Sequence, residues 1–163
     1  MKRFSAKDFK EMPWKNGGGI TTELFRIPDG DGGFLLRISR ARVEKDGPFS
    51  FFPDVDRKLL ILEGEGCRLI FPYKEEVLQK GRVLEFKGED SIDCKLLKGP
   101  FVDFNIMIAR KYGEAKATIS SSDFQNAQYI YHPRTETLFQ FENEEVRVDF
   151  PGEEHIIIKI QEK

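Results

Sequence analysis

The sequence predicts an all-β fold in which short antiparallel strands build a sandwich or a closed barrel. Apolar and polar residues alternate over short segments, which is the pattern of strands that bury one face. Clusters of Gly, Pro and Asp separate these segments at close spacing, and no long helical pattern competes with them. Because an antiparallel chain of 163 residues manages its sheet edges in such architectures, we expect one domain with a substantial core.

The first element predicted is a helical turn at Ser5–Lys10, where Ser5 and Asp8 have the spacing of a capping box. The alternating segments that follow predict strands at Ile20–Ile27, Phe34–Val43, Lys58–Glu63, Cys67–Phe71, Val83–Phe86, Asp93–Leu97, Val102–Arg110, Ala117–Ser120, Gln128–His132, Thr137–Glu142, Val146–Phe150 and His155–Gln161. The charged stretch Tyr73–Glu76 is predicted to be a loop.

Composition and charge exclude several classes of protein. The formal net charge is -2 and charged residues of both signs are intermixed, so the basic stripe of a nucleic-acid-binding protein is absent. No apolar run is long enough for a signal peptide or a membrane span, so we expect a cytoplasmic protein. Cys67 and Cys94 lie in apolar segments without a C-x-x-C spacing, and we interpret them as buried reduced thiols.

The stretch PWKNGGGITTELF, Pro13–Phe25, places three glycines between an aromatic residue, a cation and an amide on one side and a strand on the other. The amides of Gly17, Gly18 and Gly19 could converge on an anion as a backbone nest, with Lys15 supplying charge. The alternative is that the glycines let the chain turn a tight barrel corner. Phosphate-binding loops do not fit, because their glycines lead into a helix.

The stretch DGPFSFFPDVDRKLLILEGEG, residues 46–66, ends like the hairpin that follows the metal-ligand segment of cupins. In place of histidines and a glutamate it carries phenylalanines, Ser50, Asp54 and Asp56. His132 and His155 lie far downstream, where surface or structural roles are favoured over metal binding. We therefore expect neither a metal nor another cofactor.

Two strands carry polar residues at period two. Asp103 and Asn105 share one face of their strand, and Arg37 and Ser39 share one face of another. If these faces point inward, they line a polar cavity or need buried partners, and if they point outward, they are solvated. The sequence leaves both arrangements open.

Three stretches together closely resemble the HutD/Ves family: PWKNGGGITTEL, RISRARVEKDGPFSFFPDVDRKLLILEGEG and CKLLKGPFVDFNIMIAR. The resemblance covers most of Met12–Arg110, whereas Tyr112–Lys163 agrees mainly in length and strand pattern. It implies a cupin-like antiparallel β-barrel or jelly roll in a compact two-cupin arrangement, with residues 1–163 as one domain and halves at 1–110 and 111–163. Asp54 stands where the family pattern has glycine, so we expect a different turn before Asp56.

The resemblance also implies a function in histidine utilisation, namely regulatory binding of a pathway metabolite such as N-formylglutamate. Because polar residues of the family pattern are abundant in this sequence, we expect the glycine loop to line the mouth of a barrel pocket, with Trp14 as a wall and Lys15 and Asn16 as polar contacts. The ligand-binding residues predicted in this way are Trp14, Lys15, Asn16, Gly17, Gly18, Gly19, Glu23, Arg37, Ser39, Ser50, Asp56, Arg57, Asp103 and Asn105.

The leading functional hypothesis is metal-free binding of a small anionic metabolite, with Lys15 and Arg57 at one anion-accepting pocket. Asp56 neutralising Arg57 is the structural alternative. A second hypothesis is a metal-independent isomerase or lyase that uses Glu23, Asp56 or Asp103 as general acid or base. A third is a protein-interaction module with a vestigial pocket. Neither nucleic acid nor membrane is expected as a partner, and a homodimer formed through sheet edges is left open.

Overall fold

The computed structural model describes residues 1–122, 124–142, 146 and 152–163. A short 3-10 helix, Ala6–Asp8, follows the N-cap residue Ser5. The strands of the described residues are β1 (Lys2–Phe4), β2 (Lys10–Pro13), β3 (Gly19–Pro28), β4 (Phe34–Val43), β5 (Gly47–Pro48), β6 (Val55–Glu63), β7 (Cys67–Ile70), β8 (Glu75–Leu78), β9 (Leu84–Lys87), β10 (Asp93–Leu96), β11 (Phe101–Ala109), β12 (Gly113–Ser120), β13 (Tyr129–His132), β14 (Thr137–Gln140) and β15 (His155–Glu162).

These strands form three antiparallel sheets. The six-stranded sheet has the order β2-β3-β4-β11-β6-β9, the four-stranded sheet β5-β10-β7-β8 and the five-stranded sheet β1-β14-β13-β15-β12. Over the described residues the hydrogen-bonded ladders do not close into one barrel, because each sheet keeps its own edges. The all-β, cupin-like jelly-roll prediction is confirmed in this open form.

The six-stranded sheet is the middle layer, and its strand β11 is buried almost throughout because both of its faces are covered. Phe104 and Ile106 face the five-stranded sheet, where Phe104 stacks on Tyr131 with ring centroids 4.7 Å apart. Phe101 lies on the opposite face of β11 and packs with Cys67 of the four-stranded sheet. The same alternation directs Asp103 and Asn105 to the side of the four-stranded sheet.

The sheets also show where the predicted elements need correction. The strands β1, β2 and β5 were not predicted, since each is short and lacks an alternating apolar pattern. The loop predicted at Tyr73–Glu76 is wrong from Glu75 onward, because β8 begins there and pairs with β7. The predicted strand Val146–Phe150 lies outside the described residues except for Val146.

Three local features bear on the remaining predictions. The Ser5 backbone N–H donates to Asp8 Oδ2 at 2.9 Å, which confirms the capping box. Asp54 has φ +61°, so its turn keeps the left-handed conformation that glycine favours. Cys67 and Cys94 are both buried and form no disulfide.

No helix within the described ranges is long and apolar enough to cross a membrane. The single-domain assignment stays a prediction.

Candidate functional site

A cavity of about 520 Å³ lies on the face of the six-stranded sheet that looks towards the four-stranded sheet. Its floor is formed by neighbouring residues of β4, β11 and β6, since Ser39 pairs with Asn105 and Met107 pairs with both Arg37 and Arg57. The segments 12–16 and 48–52 complete its walls. The predicted site residues that line it are Trp14, Lys15, Asn16, Arg37, Ser39, Ser50, Arg57, Asp103 and Asn105.

The polar faces of the two period-two strands therefore point inward. Ser39 is 2 % exposed, Asp103 3 % and Asn105 7 %, so the solvated alternative is wrong for them. Within the described part of the chain, Asp103 Oδ1 and Asn105 Oδ1 are buried without a hydrogen-bond partner. Such atoms are rare in folded proteins and mark places where a ligand or water completes the hydrogen bonding.

Arg57 is the most unusual of the cavity residues, because it is 4 % exposed and forms no ion pair with any described residue. Its guanidinium carbon lies 4.8 Å from the ring centroid of Phe86, 5.5 Å from that of Phe49 and 5.6 Å from that of Phe52. Nη1 donates one long hydrogen bond, 3.4 Å, to the Ser50 carbonyl oxygen, and Nε has no partner among the described residues.

The electrostatics of the cavity follow from this burial. Burial lowers the pKa of Arg57 to about 10, an effect that Asp103 opposes and Arg37 reinforces, so Arg57 stays positive at neutral pH. Burial raises the pKa of Asp103 to about 7, while the charge of Arg57 and the backbone amide of Ala41 lower it. Of the charged residues that line the cavity, Lys15, Arg37 and Arg57 are cations, and Asp103 is the one described carboxyl group. This donor set fits an anion and does not fit a divalent metal ion.

Two of the predicted site residues, Glu23 and Asp56, carry carboxyl groups that lie outside the cavity wall. Glu23 is on β3 and accepts a hydrogen bond from Arg37 Nε at 2.8 Å, so it fixes the orientation of a cavity arginine. Asp56 lies on the opposite face of β6 from Arg57 and accepts a hydrogen bond from Arg110 Nε at 2.8 Å. The alternative that Asp56 neutralises Arg57 is wrong, because consecutive strand residues point to opposite faces.

The glycines do not line the cavity, and the predicted anion nest is wrong. The Gly17 N–H donates to the Trp14 carbonyl oxygen at 3.0 Å, and the Gly18 N–H donates to Asn16 Oδ1 at 2.8 Å. A side chain at Gly19 would come within 2.5 Å of the Arg42 carbonyl oxygen. The tight-corner alternative explains all three glycines, since these amides serve the turn and Gly19 permits close strand packing.

The turn instead positions the residues that precede it. The Trp14 backbone N–H donates to the Gly19 carbonyl oxygen at 2.9 Å, and Trp14 Nε1 donates to Thr21 Oγ1 at 2.7 Å. The indole is therefore fixed as a wall of the cavity, as predicted. Lys15 and Asn16 line the cavity from its exposed rim.

Several residues in or next to the cavity were not predicted from the sequence. Phe49 and Phe52 enclose Arg57, and the run FSFFPDVDR carried a signal for them, because phenylalanines close to a buried arginine form cation–π contacts. Thr21 gave a weaker signal as a polar residue inside the strand that follows the glycines. Phe86 lies on β9, and nothing local to it indicates a contact with Arg57.

The two histidines lie away from this cavity, in the five-stranded sheet, and both are buried, so a surface location is wrong for them. Their rings lie 4.7 Å apart. His132 Nδ1 is 2.6 Å from Thr135 Oγ1, and His132 Nε2 is 2.5 Å from Glu153 Oε2. These contacts support a structural role. The described residues contain no group of three or more His, Cys, Asp or Glu side chains arranged to hold a metal ion.

Two other cavities have less suitable linings. The one of about 1110 Å³ beside Tyr112 and Tyr129 has Glu142 and Glu162 as the charged residues among its described lining, so it offers an anion no cation. The one of about 400 Å³ beside the histidines carries charges of both signs. The cavity around Arg57 is therefore the candidate site.

The fold and this cavity define an all-β protein with a cation-rich pocket that opens at its rim. The chain belongs to the HutD family, whose profile matches residues 6–161, so the family match extends through the C-terminal third as well. Over 152 residues it is 34% identical to an uncharacterized 21.2 kDa protein in the hutC 3' region of Pseudomonas putida, covering 91% of this chain and 77% of that protein. It is 31% identical over 126 residues to protein Ves of Citrobacter koseri, covering 72% of this chain and 64% of that protein, less than two thirds of its length.

Two solved structures share the fold over nearly the whole chain. HutD from Pseudomonas fluorescens SBW25, in its formate condition, matches with a TM-score of 0.83 at 24% identity and covers 99% of this chain and 98% of that one. A conserved protein of unknown function from Pseudomonas aeruginosa PAO1 matches with a TM-score of 0.71 at 27% identity, covering 99% and 92%. The predicted HutD/Ves membership is confirmed.

Proposed function

We propose that the protein binds a small anionic metabolite, of the carboxylate class, in the cavity around Arg57, and that it does so without a metal ion. The observation that carries the proposal is the buried guanidinium of Arg57, which has an unpartnered Nε–H and no ion pair among the described residues. An uncompensated buried charge is costly, so such a group is retained where an anion completes it.

The surroundings of Arg57 support the same ligand class. Arg37 brings a second guanidinium group to the floor, where its salt bridge with Glu23 fixes its orientation and offsets part of its charge. Lys15 adds a further positive charge at the rim, where it can attract an anion from solution. Ser39 and Asn105 supply buried polar groups for the neutral part of a metabolite. A volume of about 520 Å³ is in the range of pockets for small metabolites.

The biological setting that we propose is regulation of amino-acid utilisation, specifically of histidine, in the cytoplasm. The relative in the hutC 3' region supports this setting, and the two free cysteines fit a reducing compartment. N-formylglutamate, the ligand implied by the family resemblance, is a carboxylate of suitable size. A homodimer stays a prediction, which sedimentation equilibrium would test.

The direct test is a thermal-shift screen followed by calorimetric titration. N-formyl-L-glutamate, urocanate, formate and sulfate are compared, with sodium chloride at matched ionic strength as the control. A ligand that binds the folded state raises the unfolding midpoint, and this stabilisation grows with the logarithm of the ligand concentration relative to Kd. Saturable binding of at least one carboxylate, lost in Arg57→Met, is the expected result. If every anion acts like chloride, the proposal is wrong.

One observation favours a second function, metal-independent acid–base catalysis. Asp103 lies in the cavity with a pKa of about 7. Because this pKa is close to neutral pH, the carboxyl group can both accept and donate a proton there. Glu23 and Asp56 are less suited, because neither lines the cavity and each accepts a hydrogen bond from an arginine. Incubating the bound ligand in D₂O and following it by proton NMR separates the functions: exchange or conversion that stops in Asp103→Asn indicates an enzyme.

A further inference from the structure

Asp103 occupies the floor of the cavity on β11, between β4 and β6. Its Cα pairs with Ala41 on one side and with Ile61 on the other. The carboxyl group is buried, and its Oδ1 has no hydrogen-bond partner among the described residues. It therefore faces whatever occupies the cavity with an open hydrogen-bonding position.

The charged and titratable groups around Asp103 come from every neighbouring element. Arg57 on β6 attracts its charge, Arg37 on β4 lies on the same cavity floor, and Lys15 lies at the rim. Cys94 on β10 interacts electrostatically with Asp103. The hydrogen bond with Cys67 and burial both raise the pKa of Cys94 well above its ordinary range, so this thiol is neutral. Asp103 is therefore the described cavity group that changes charge near neutral pH.

We propose that the cavity takes up a carboxylate anion together with one proton, and that Asp103 holds this proton and thereby determines which ligands bind. The inference rests on the proposed function, because it concerns the same cavity. It adds that the ligand is taken up as an anion plus a proton and that Asp103 acts as its selective partner.

The physical reason is that two negative charges cannot share a small buried cavity at low cost. A carboxylate bound at Arg57 competes with Asp103 for the same positive charge, so it raises the pKa of Asp103 further above its value of about 7 in the empty cavity. Once protonated, Asp103 changes from an acceptor to an O–H donor. The O–H of protonated Asp103 can donate a hydrogen bond to a ligand oxygen. A ligand that carries a cationic amine at the position of this oxygen cannot accept that hydrogen bond.

The experiment uses formate as the probe, because its own pKa lies far below the range studied. The side-chain carboxyl resonance of Asp103 is followed by carbon-13 NMR between pH 5.5 and 9, in formate and in chloride at equal ionic strength. We expect the midpoint to move up by at least one pH unit in formate. Calorimetry at pH 8 in buffers of different ionisation enthalpy should show uptake of roughly 0.4 proton for a shift of one pH unit and more for a larger shift, with affinity falling up to tenfold per pH unit between the two midpoints.

Two variants complete the test. Asp103→Asn carries a neutral side chain of the same shape, so its formate affinity should lose the pH dependence and match the low-pH affinity of the wild type. Asp56→Asn removes a carboxylate of the neighbouring strand that faces away from the cavity, and it should keep the wild-type slope. Formate binding with a pH-independent affinity and an unmoved Asp103 midpoint would overturn this inference alone. No change at Arg57 or Asp103 at any pH, with formate or with the other anions of the screen, would overturn the proposed function along with it.

Discussion

The cavity around Arg57 and the histidine cluster, formed by His132, Glu153, Arg134 and Thr135, both contain buried polar side chains, but the hydrogen bonding of these side chains differs. Both ring nitrogens of His132 have a polar side chain within 2.6 Å, and Arg134 Nη1 donates to Glu153 Oε1 at 2.8 Å. In the cavity, Arg57 Nε, Asp103 Oδ1 and Asn105 Oδ1 have no partner among the described residues.

This difference separates a polar group that stabilises the fold from one that is held ready for a ligand. A fully hydrogen-bonded buried network fixes a unique packing, whereas an incomplete one costs free energy until a ligand completes it. Burial of a polar residue therefore does not identify a site by itself. The incomplete hydrogen bonding of neighbouring groups, on the wall of a cavity, identifies it.

The largest effect should come from Arg57→Met, which keeps most of the side-chain volume and removes the charge. We expect carboxylate binding to weaken by roughly 2–5 kcal/mol, because a buried charged partner of the anion is lost. The free energy of unfolding should not fall, since an unpaired buried guanidinium is replaced by an apolar side chain. Calorimetric titration and urea denaturation measure the two quantities.

Arg110→Met is the matched control for this prediction. Arg110 is paired with Asp56 and Glu89 outside the cavity, so its replacement should leave carboxylate binding unchanged. Equal losses of binding in both arginine variants would mean that general charge, and not Arg57, attracts the anion.

The opposite result is expected in the histidine cluster. His132→Phe keeps an aromatic ring against His155 but removes the hydrogen bonds of His132 with Thr135 and Glu153, which should lower the free energy of unfolding by roughly 1–3 kcal/mol. Carboxylate affinity should stay within error of the wild type, because the cluster lies in the five-stranded sheet. Urea denaturation and titration of the same preparation test this, and a weakened affinity in a folded variant would show that the two regions are coupled.

Asp103 allows the comparison to be sharpened through pH. Its folded pKa of about 7 lies above the ordinary value of 3.8, so its contribution to stability is complete below pH 3.8 and is lost as pH rises to about 7. Between pH 5.5 and 8 the wild type should lose roughly 2 kcal/mol relative to Asp103→Asn, most of it below pH 7, and its stability should level off above that range. Urea denaturation at four pH values measures the difference, and parallel curves for the two proteins would contradict it.

The sequence could predict those features of the site that depend on the local geometry of a strand. Side chains alternate along any strand, so the shared faces of Arg37 with Ser39 and of Asp103 with Asn105 were predictable once the strands were placed. Both faces meet in one cavity because β4 and β11 are neighbours, a pairing that the sequence did not predict.

The wrong or missing predictions concern hydrogen-bond and packing partners. These partners lie in distant parts of the chain, or they are side-chain atoms that a local sequence pattern does not reveal. The amide of Gly18 is used by the side chain of Asn16, which a pattern of glycines does not reveal. Phe86 reaches Arg57 through the pairing of β9 with β6. Burial of His132 and His155 results from the pairing of β13 with β15 in a sheet whose register the sequence does not specify.

The smallest effect is expected at Lys15, at the rim of the cavity. Lys15 is exposed, so its charge acts on an anion mainly through water, and Lys15→Ala should weaken carboxylate binding by roughly 1 kcal/mol while leaving stability unchanged. The loss should shrink as salt is raised, because ions screen exposed charges, whereas the loss in Arg57→Met should persist. Lys10→Ala removes an exposed lysine outside the cavity lining and serves as the control. Titrations of the three variants at low and high salt decide the matter: a salt-independent loss at Lys15 as large as that at Arg57 would place the anion at the rim and not on the buried floor.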